Sequence, residues 1–503
     1  MSGELSGQSI GVVGGGIGGL SAASYLAAEG ADVTLYEQHE NVGGVAGRIE
    51  ADGFRFDTGP SWYLMPELFE RFFAHFDSEP SDWYELVRLD PNYRVIWTDG
   101  DRADIPADPE QAKAVFESRE PGAGYALEQY LEQAAETYEL GMERFVMANR
   151  SRIRDYVALD VMRSGRAIKF LGTMDEHVSS YFENPKLKQL VEYTLVFLGG
   201  SPYNTPALYT LMSHVDYNLG VYYPIGGMMT VVDAMESVAT LQGATIHTNT
   251  PVTAIVPDGE GVTVTADGTA HRHDRVISNA PPAYTEQKLL PDGTTDRKAS
   301  YWDERTLSPS AFMLYLGVEG EIEELEHHSL VLPTDWKPHF DAIFEEPAWP
   351  ERPSYYVNVP SQTDPTVAPD GCETAVVLVP LAPGLDETEA KRDEFRNQIL
   401  SDLATQAGVD LRDRIRFEER ACVSTYQNRF NKQQGTALGL AHTIKQTGPL
   451  RPGHRIPGVE RVYLTGGSAN PGIGVPMCLL SGEHVTEAVI EDSSKSGLLP
   501  SFR

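Results

Sequence analysis

Three glycines near the start of the chain have the spacing that most clearly predicts chemistry. Gly14, Gly16 and Gly19 form a G-x-G-x-x-G pattern between apolar residues 10–13 and a run of small and apolar residues at helical spacing. The pattern therefore predicts a strand, a tight turn and a helix. In that context the glycines allow the turn, the close approach of a pyrophosphate and the packing of helix against strand. The helix N-terminus then offers free N–H groups to phosphate.

A carboxylate follows at the distance that a dinucleotide site requires. The predicted second strand, Asp32–Tyr36, is followed by Glu37, which stands 18 residues after Gly19. A carboxylate at this place accepts hydrogen bonds from both hydroxyls of an adenosine ribose and repels a 2′-phosphate. The residues up to this point predict FAD or NAD as the cofactor and argue against NADP.

Length, composition and charge narrow the class of protein. The 503 residues are too many for one core, and 41% of them are hydrophobic, which is typical of a soluble globular enzyme with two or three domains. The sequence contains no apolar run long enough to predict a membrane-spanning helix. The N-terminus has the features of neither a signal peptide nor a transit peptide. The net charge of −33 argues against nucleic-acid binding. It fits a cytoplasm with high salt, although a merely acidic protein has the same composition.

The three cysteines predict neither a metal site nor a disulfide framework. Cys372, Cys422 and Cys478 lie far apart, and neither C-x-x-C nor a Cys/His metal spacing is present. We therefore expect reduced, buried thiols in a cytoplasmic protein, and no metal.

Hydrophobic periodicity predicts further elements along the chain. Residues 122–147 have the pattern of an amphipathic helix, whereas residues 190–230 are apolar but interrupted by glycine and proline, which predicts short helices and turns. The later predicted elements are helices at 229–241 and 386–408, strands at 244–248, 252–256, 261–265, 275–280, 311–318, 328–333, 354–359, 373–380 and 459–465, and a helix from about Leu479.

One segment departs from the acidic character of the chain. Residues 150–171 hold six basic and two acidic residues, and apolar side chains such as Phe170 and Leu171 lie between the cations. This composition is typical of a helix at a membrane surface, but it fits a cap helix paired with neighbouring carboxylates equally well.

The continuation of the N-terminal motif distinguishes FAD from NAD, and later motifs identify a family. Gly43-Gly44 and residues 53–60 resemble the extended flavin signature of the amine-oxidase and carotenoid-desaturase superfamily. Over nearly its whole length the chain resembles bacterial- and archaeal-type phytoene desaturases. The later motifs that carry this resemblance lie at 223–228, 327–328, 353–361, 435–439, 446–452 and 471–476.

The resemblance implies an α/β fold. It consists of a Rossmann-like FAD-binding domain with a doubly wound sheet, into which a mixed-sheet and helical substrate domain is inserted. We expect insertion because no low-complexity linker interrupts the chain. The predicted limits are 1–95, 226–300 and 436–503 for the three parts of the FAD-binding domain, 96–225 for a helical cap and membrane-facing region, and 301–435 for the substrate-domain sheet and helices.

The same resemblance places the cofactor-binding residues. The double glycine continues the pyrophosphate site, the Gly-Pro turn passes beside the flavin ring, and one strand residue meets the adenine through its backbone. A second glycine-rich junction between a strand and a helix, near the C-terminus, brings N–H groups to the other end of the flavin. The predicted FAD-binding residues are Gly14, Gly16, Ile17, Gly18, Gly19, Glu37, Gly43, Gly44, Val45, Arg48, Gly59, Pro60, Ser61, Val252, Gly466, Gly467, Gly472, Ile473 and Val475.

The chain departs from the family pattern at two places. The family carries Arg directly after the double glycine, where Val45 stands here, and we expect Arg48 to take over the phosphate contact. Thr-His precedes the last Pro-Gly motif in the family, whereas this chain has Ala469 and Asn470. The second departure predicts a difference at the substrate end of the flavin, and therefore in the carotenoid used.

The activity that the resemblance implies is FAD-dependent desaturation of a long polyene in carotenoid biosynthesis. A hydride leaves an allylic carbon for the flavin and a proton leaves the adjacent carbon, so the protein has to orient a long apolar substrate in a dry tunnel. The expected partners are the carotenoid, a membrane surface reached peripherally from the cytoplasm, and quinone or oxygen as electron acceptor. No catalytic residue is assigned. The proton-accepting candidates, by residue type alone, are His177, His214, His327 and His328.

Four alternatives remain open. The first is a carotenoid 3,4-desaturase acting on a C40–C50 intermediate, and the second is a redox-neutral carotene cis–trans isomerase on the same fold. The third is a flavin amine or porphyrinogen oxidase, although amine oxidases normally have a lysine near the flavin and this chain is poor in lysine. The fourth is a non-catalytic carotenoid-binding protein, which would not need both glycine-rich junctions.

Overall fold

The computed structural model describes residues 3–142, 146–147 and 172–496. The strands are β1 (Ser9–Val13), β2 (Asp32–Tyr36), β3 (Arg48–Ala51), β4 (Phe54–Asp57), β5 (Leu86–Arg88), β6 (Tyr93–Trp97), β7 (Arg102–Ile105), β8 (Tyr222–Pro224), β9 (Thr245–His247), β10 (Val252–Pro257), β11 (Val262–Ala266), β12 (Thr269–His273), β13 (Arg275–Ser278), β14 (Ser310–Glu319), β15 (His328–Leu332), β16 (Tyr355–Asn358), β17 (Cys372–Leu381), β18 (Ile415–Ala421) and β19 (Val462–Leu464). The helices are α1 (Ile17–Ala28), α2 (Pro66–His75), α3 (Pro109–Glu117), α4 (Ala123–Gly141), α5 (Met174–Val178), α6 (Pro185–Glu192), α7 (Leu211–Ser213), α8 (Met228–Leu241), α9 (Pro282–Tyr284), α10 (Lys337–Phe344), α11 (Glu389–Gln406), α12 (Val423–Phe430) and α13 (Val475–Ser496).

A five-stranded parallel sheet carries the N-terminal glycine motif. Its strand order is β19-β13-β1-β2-β9, with β1 at the centre. The next strand in sequence, β2, lies on one side of β1, and β13 from much later in the chain lies on the other. The strand order therefore reverses at the carboxyl end of β1, which is where ligands bind in doubly wound sheets. The predicted α/β fold with a Rossmann-like sheet is confirmed.

A second, mixed sheet stands apart from the first. Its order is β18-β14-β17-β16-β15-β6-β7, and β15 and β6 pair parallel whereas the other neighbours pair antiparallel. Its strands come from residues 93–105 and 310–421, so the chain leaves the parallel sheet twice and returns to it twice. The five-segment domain division stays a proposal, and its limit at residue 95 falls inside β6.

Most of the predicted elements are present with small shifts at their ends. The helix predicted at 229–241 spans Met228–Leu241, and the one predicted from about Leu479 already begins at Val475. Proline is tolerated in the first turn of a helix, so Pro476 does not delay that start. Strand β18 was not predicted, because its alternating charged residues lack the apolar run that marks a buried strand. The helix predicted at 122–147 is described over Ala123–Gly141.

The described residues contain no helix that is both long and apolar enough to cross a membrane. The basic segment 150–171 lies outside the described residues.

Helices α1 and α13 approach each other closely because small residues form their contact. Ser21 Oγ donates a hydrogen bond to the carbonyl oxygen of Leu479 at 2.7 Å. A Cβ added at Gly482 would overlap Ser21 Oγ and lie 2.6 Å from the backbone nitrogen of Ala22. The parallel sheet depends on this contact, since α1 and α13 follow its strands β1 and β19.

We expect Gly482→Ala to destabilise the protein by about 1–3 kcal/mol, because overpacking at a tight helix contact forces the backbones apart. The matched control is Gly141→Ala, since a Cβ there meets its nearest atom, Leu211 Cδ2, at 3.4 Å. Alanine is the better helix residue, so the control should keep or raise stability. Urea unfolding followed by circular dichroism measures both, and equal effects of the two variants would contradict the close-contact argument.

Candidate functional site

The glycine-rich turn after β1 has the close packing that its spacing predicts. Gly14 has φ +95°, a left-handed conformation that favours glycine, and Gly16 is the residue before α1. A Cβ on Gly19 would overlap the carbonyl oxygen of Gly14, so the third glycine lets the helix lie directly against the end of the strand. The first turn of α1, from Ile17, points its free N–H groups at this place.

The double glycine lies against that turn. The amide of Gly43 donates a hydrogen bond to the carbonyl oxygen of Gly15 at 2.8 Å, and Gly43 pairs with Gly16 in a short parallel bridge. A Cβ on Gly44 would lie 3.3 Å from the Cα of Gly16. Residues 27 positions apart in the chain thus form one backbone cradle without side chains.

Glu37 is held at the edge of this cradle. Its side chain is 4% exposed, its Oε2 accepts a hydrogen bond from the amide of Gly15 at 2.7 Å, and its Oε1 accepts one from the amide of His39 at 2.9 Å. Each carboxylate oxygen can accept a second hydrogen bond. The carboxylate is therefore positioned rigidly and retains capacity for a pair of hydroxyl donors.

Two further predicted residues follow the double glycine around the cradle. Arg48 begins β3, and its guanidinium is 3.3 Å from the carboxylates of both Glu50 and Asp233. It also lines a pocket of about 340 Å³ beside Gly44, so its phosphate contact stays a prediction. The carbonyl oxygen of Val45 accepts a hydrogen bond from Thr58 Oγ1 at 3.3 Å.

Strand β10 begins beside Glu37. Val252 is its first residue, and the amide of Thr250, two residues earlier, donates to the carbonyl oxygen of Glu37 at 2.7 Å. This hydrogen bond brings the predicted adenine-contacting residue to the end of β2.

Asn279 connects the two glycine-rich junctions, and the sequence reasoning did not identify it. Its amide donates to the carbonyl oxygen of Val13 at 2.8 Å. A Cβ on Gly18 would lie 2.8 Å from Asn279 Oδ1 and 2.8 Å from the Cα of Gly466. The N-terminal and C-terminal junctions therefore meet here, although 448 residues separate Gly18 from Gly466 in the chain. The feature of the sequence that could have identified Asn279 is its position as a polar residue directly after strand β13.

His442 shapes the C-terminal junction and was also missed. Its Nε2 accepts a hydrogen bond from the amide of Ile473 at 3.1 Å, and its Nδ1 lies 2.5 Å from the hydroxyl of Tyr209. Burial, reinforced by the charge of Arg451, holds the pKa of His442 well below its usual range, so the ring is neutral. Gly472 has φ +154°, and a Cβ there would overlap the His442 ring. Val475 follows as the first residue of α13.

Asp57 joins two sequence motifs. Its carboxylate accepts hydrogen bonds from the amides of Met228 at 2.8 Å and Met229 at 3.3 Å, so it caps the N-terminus of α8. Burial raises the pKa of Asp57 to about 7, against the opposing effect of these amides. The contact fixes the Gly59 turn, whose glycine is required because a Cβ would overlap the carbonyl oxygen of Val45.

A neutral hydrogen-bonded chain begins at the Gly59-Pro60-Ser61 turn. Ser61 Oγ lies 2.9 Å from the hydroxyl of Tyr356, which lies 2.7 Å from Nδ1 of His328. The ring of Trp62 stacks on His328 with centroids 4.0 Å apart. Burial holds the pKa of His328 well below its usual range and raises the pKa of Tyr356.

The four candidate histidines do not form one cluster, although the rings of His327 and His328 lie with their centroids 4.5 Å apart. His328 lies beside the predicted flavin turn, and His327 packs against Tyr223. The Nδ1 of His214 lies 2.8 Å from Nδ2 of Asn218, and His177 packs beside the ring of Tyr130. Of the four, His328 is the one that hydrogen bonds connect to the turn. Its depressed pKa makes it a weak proton acceptor.

The site fits FAD. Two helices, α1 and α13, begin at it, and a Cβ at several of its glycines would meet backbone or buried side chains. The Glu37 carboxylate can accept hydrogen bonds from ribose hydroxyls, and backbone N–H groups at both junctions can donate to phosphate and ring oxygens. In the described part of the chain, no group of His, Cys, Asp and Glu side chains is arranged to hold a metal.

We expect Gly16→Val to abolish flavin binding, because its side chain would occupy the space of the pyrophosphate. A Cβ there would also lie 2.7 Å from Nδ2 of Asn279, so the double variant Gly16→Val with Asn279→Ala separates the two causes. Flavin absorbance per chain is measured after purification with excess FAD, with Asn279→Ala as the control. Restored occupancy in the double variant would mean that valine acts only by displacing Asn279.

Comparison with known proteins agrees with this geometry. The family described as flavin containing amine oxidoreductase matches residues 17–490. A carotenoid 3,4-desaturase from Haloarcula japonica is 55% identical over 491 residues, covering 97% of this chain and 99% of that protein. A zeta-carotene-forming phytoene desaturase from Myxococcus xanthus is 33% identical, covering 99% of this chain and 97% of that protein.

A solved structure shows the same fold. The crystal structure of an oxidoreductase from Methanosarcina mazei has a TM-score of 0.66 and 18% identity, covering 95% of this chain and 100% of that one. The family match and the dinucleotide fingerprint make FAD the cofactor. The resemblance drawn from the sequence motifs is confirmed, and the chain belongs to the flavin-containing amine oxidoreductase family.

Proposed function

We propose that this chain is an FAD-dependent carotenoid desaturase that removes hydrogen from a long polyene. The observation that carries the proposal is its end-to-end likeness, at 55% identity, to a protein named carotenoid 3,4-desaturase. More distant relatives named phytoene desaturases cover the chain almost completely as well. Amine oxidation is disfavoured because the relatives from Haloarcula japonica and Myxococcus xanthus, at 55% and 33% identity, are named for carotenoid chemistry.

In the proposed site, different groups of residues bind different parts of FAD. In this proposal the cradle of Gly14, Gly16 and Gly44 and the N-terminus of α1 hold the pyrophosphate, and Glu37 accepts the ribose hydroxyls. The Gly59-Pro60-Ser61 turn and the junction from Gly466 border the ring. When bound, FAD supplies the hydride acceptor.

The side chains beside the turn are suited to an apolar substrate. Trp62 is half-buried, with the rings of Phe197 and Tyr193 at 5.3 and 6.0 Å. Ser61, Tyr356 and His328 offer hydroxyl and imidazole groups that are neutral, so they bring no charge to desolvate. These residues orient the polyene and exclude water. The low pKa of His328 argues against it as the proton acceptor, and that role remains unassigned.

Two desaturase reactions are candidates: desaturation of phytoene, and desaturation at the 3,4 position of a C40–C50 intermediate. The higher identity to the Haloarcula japonica 3,4-desaturase than to the Myxococcus xanthus phytoene desaturase favours the 3,4 reaction. Ala469 and Asn470, which replace the family's Thr-His, lie at the C-terminal junction, where the amide of Asn470 donates to the carbonyl oxygen of Pro452 at 3.0 Å.

Product mass distinguishes the candidates. Phytoene, lycopene and a hydroxylated C50-type precursor are offered in parallel to the FAD-loaded protein with a quinone or with oxygen as acceptor. We expect one of them to lose two hydrogens per turnover, and the substrate that reacts selects between the two desaturase candidates. A product of unchanged mass but altered double-bond geometry would indicate the isomerase, and no change with any polyene would reject the proposal.

We also propose that the protein works at a membrane surface in a cytoplasm of high salt, because carotenoids partition into lipid and the chain carries a charge of −33. Segment 150–171 is the proposed contact, on its composition alone. Near 1 M salt the Debye length is about 3 Å, so attraction to anionic headgroups is screened. Burial of apolar side chains survives salt and contributes about 1.5–3 kcal/mol for each large residue.

Liposome flotation at high salt tests this contact. We expect Phe170→Ser with Leu171→Ser to reduce flotation more than Arg163→Glu with Arg166→Glu does, because only the apolar contribution remains. Retained flavin absorbance in both variants controls for folding. Flotation that neither pair alters would place the membrane contact elsewhere on the chain.

A further inference from the structure

Arg451 is a buried cation in an acidic protein. It belongs to the motif at 446–452, and its side chain is 3% exposed. Although the chain carries a net charge of −33, Arg451 forms no ion pair with a carboxylate anywhere in residues 3–142, 146–147 and 172–496. A buried charge without a counter-charge is costly unless other groups compensate it.

Backbone carbonyl groups provide that compensation in the protein. The guanidinium donates hydrogen bonds to the carbonyl oxygens of Leu440, Gln446, Gly467 and Ala469. Burial lowers the pKa of Arg451 to about 10, which still leaves the group positively charged at pH 7. The cation is therefore built into the fold as a charge.

Two of these carbonyl groups belong to the C-terminal junction. In a trans peptide the N–H points away from the C=O, so the bond to Gly467 turns the amide of Ser468 away from the guanidinium. Within the described chain, the amides of Gly467 and Ser468 donate to no protein acceptor. Arg451 thus orients and polarises the Gly467–Ser468 peptide group, whose N–H donor remains available at the proposed edge of the flavin. The other junction peptide that it holds is already satisfied, because the amide of Asn470 donates to the carbonyl oxygen of Pro452.

Other positive features lie at the same junction. The positive charges of Lys432 and Arg451 both lower the pKa of the Cys478 thiol. Burial has the larger, opposite effect and raises that pKa to about 11. Cys478 lies in the first turn of α13, whose N-terminus carries a partial positive charge. Among the described residues Lys432 has no ion pair with a carboxylate either. The junction is a concentration of positive charge in a chain dominated by carboxylates.

We propose that Arg451 is a positioning residue that makes the bound flavin easier to reduce. Adding two electrons and one proton gives the flavin one negative charge, and the cation behind Gly467 stabilises that charge through the Gly467–Ser468 peptide. This inference rests on the proposed binding of FAD at the junction, but it requires no carotenoid. Arg451 does not touch the reacting carbon atoms in this proposal and acts through the junction.

The test compares Arg451→Met with Arg451→Lys, and uses Arg455→Met as a matched control. Arg455 lies four residues later and its guanidinium is 2.7 Å from Asp492, so its removal takes away a charge that is already neutralised. The midpoint potential of the bound flavin is measured by titration with dithionite against an indicator dye, without carotenoid. Flavin occupancy and melting temperature are recorded for each variant.

We expect Arg451→Met to lower the equilibrium constant for reduction about tenfold, which is about 30 mV for a two-electron couple. Arg451→Lys should stay within about threefold of the unaltered protein even if it melts earlier, because it keeps the charge and loses hydrogen bonds. Arg455→Met should not change the potential. A merely structural role would lower occupancy or melting temperature and leave the potential of the bound fraction unchanged.

An unchanged potential in Arg451→Met overturns the inference. If that variant binds no flavin, Arg451→Gln, which keeps hydrogen-bond donors without the charge, is titrated in its place, and an unchanged potential there overturns the inference. A tenfold loss in the lysine variant would mean that hydrogen-bond geometry, and not charge, sets the potential, which also overturns the inference. An unaltered chain that binds no flavin would instead overturn the assignment of FAD, so the two failures are distinguishable.

Discussion

The rest of the structure depends on the contact between two glycine-rich junctions at Asn279. Gly18 and Gly466 both lie directly against the side chain of Asn279, so that a Cβ on either glycine would overlap it. A Cβ on Gly18 would also lie 2.8 Å from the Cα of Gly466. This contact requires strands β1, β13 and β19 to be neighbours in one parallel sheet, and it requires α1 and α13 to pack at the distance that Gly482 permits. The mixed sheet contributes no strand to this contact, because its strands form a separate sheet. One backbone contact thus links fold and cofactor site.

Burial governs the charges of the site. His328, which hydrogen bonds connect to the Gly59-Pro60-Ser61 turn, and His442, at the C-terminal junction, are neutral because their burial disfavours the protonated ring. The positive charge at the C-terminal junction comes instead from Arg451, which backbone carbonyl groups stabilise and which pairs with no carboxylate of the described residues. The outer surface has the opposite character, since the chain as a whole carries −33.

The local sequence correctly predicted the strand, turn and helix of the N-terminal junction, because the interactions that form them lie within a few residues of one another. A strand, a turn and a helix within residues 9–28 need only periodicity and glycine spacing, and Glu37 follows at the end of the next strand. The second junction was predicted for the same reason. Strand β18 was missed because it is a largely unburied edge strand without an apolar pattern of its own, and it forms by pairing with β14, about 100 residues away in the chain.

The sequence by itself therefore predicted a dinucleotide site and determined the flavin, the family and the class of fold, since each rests on short motifs whose residue types and spacing seldom occur together in unrelated folds. Only the tertiary structure decided which residues support that site. Asn279, His442 and Arg451 have no distinctive spacing, and their roles follow from neighbours far away in the chain. It also decided the protonation of His328, because the pKa of a side chain depends on the burial and charges that folding creates around it.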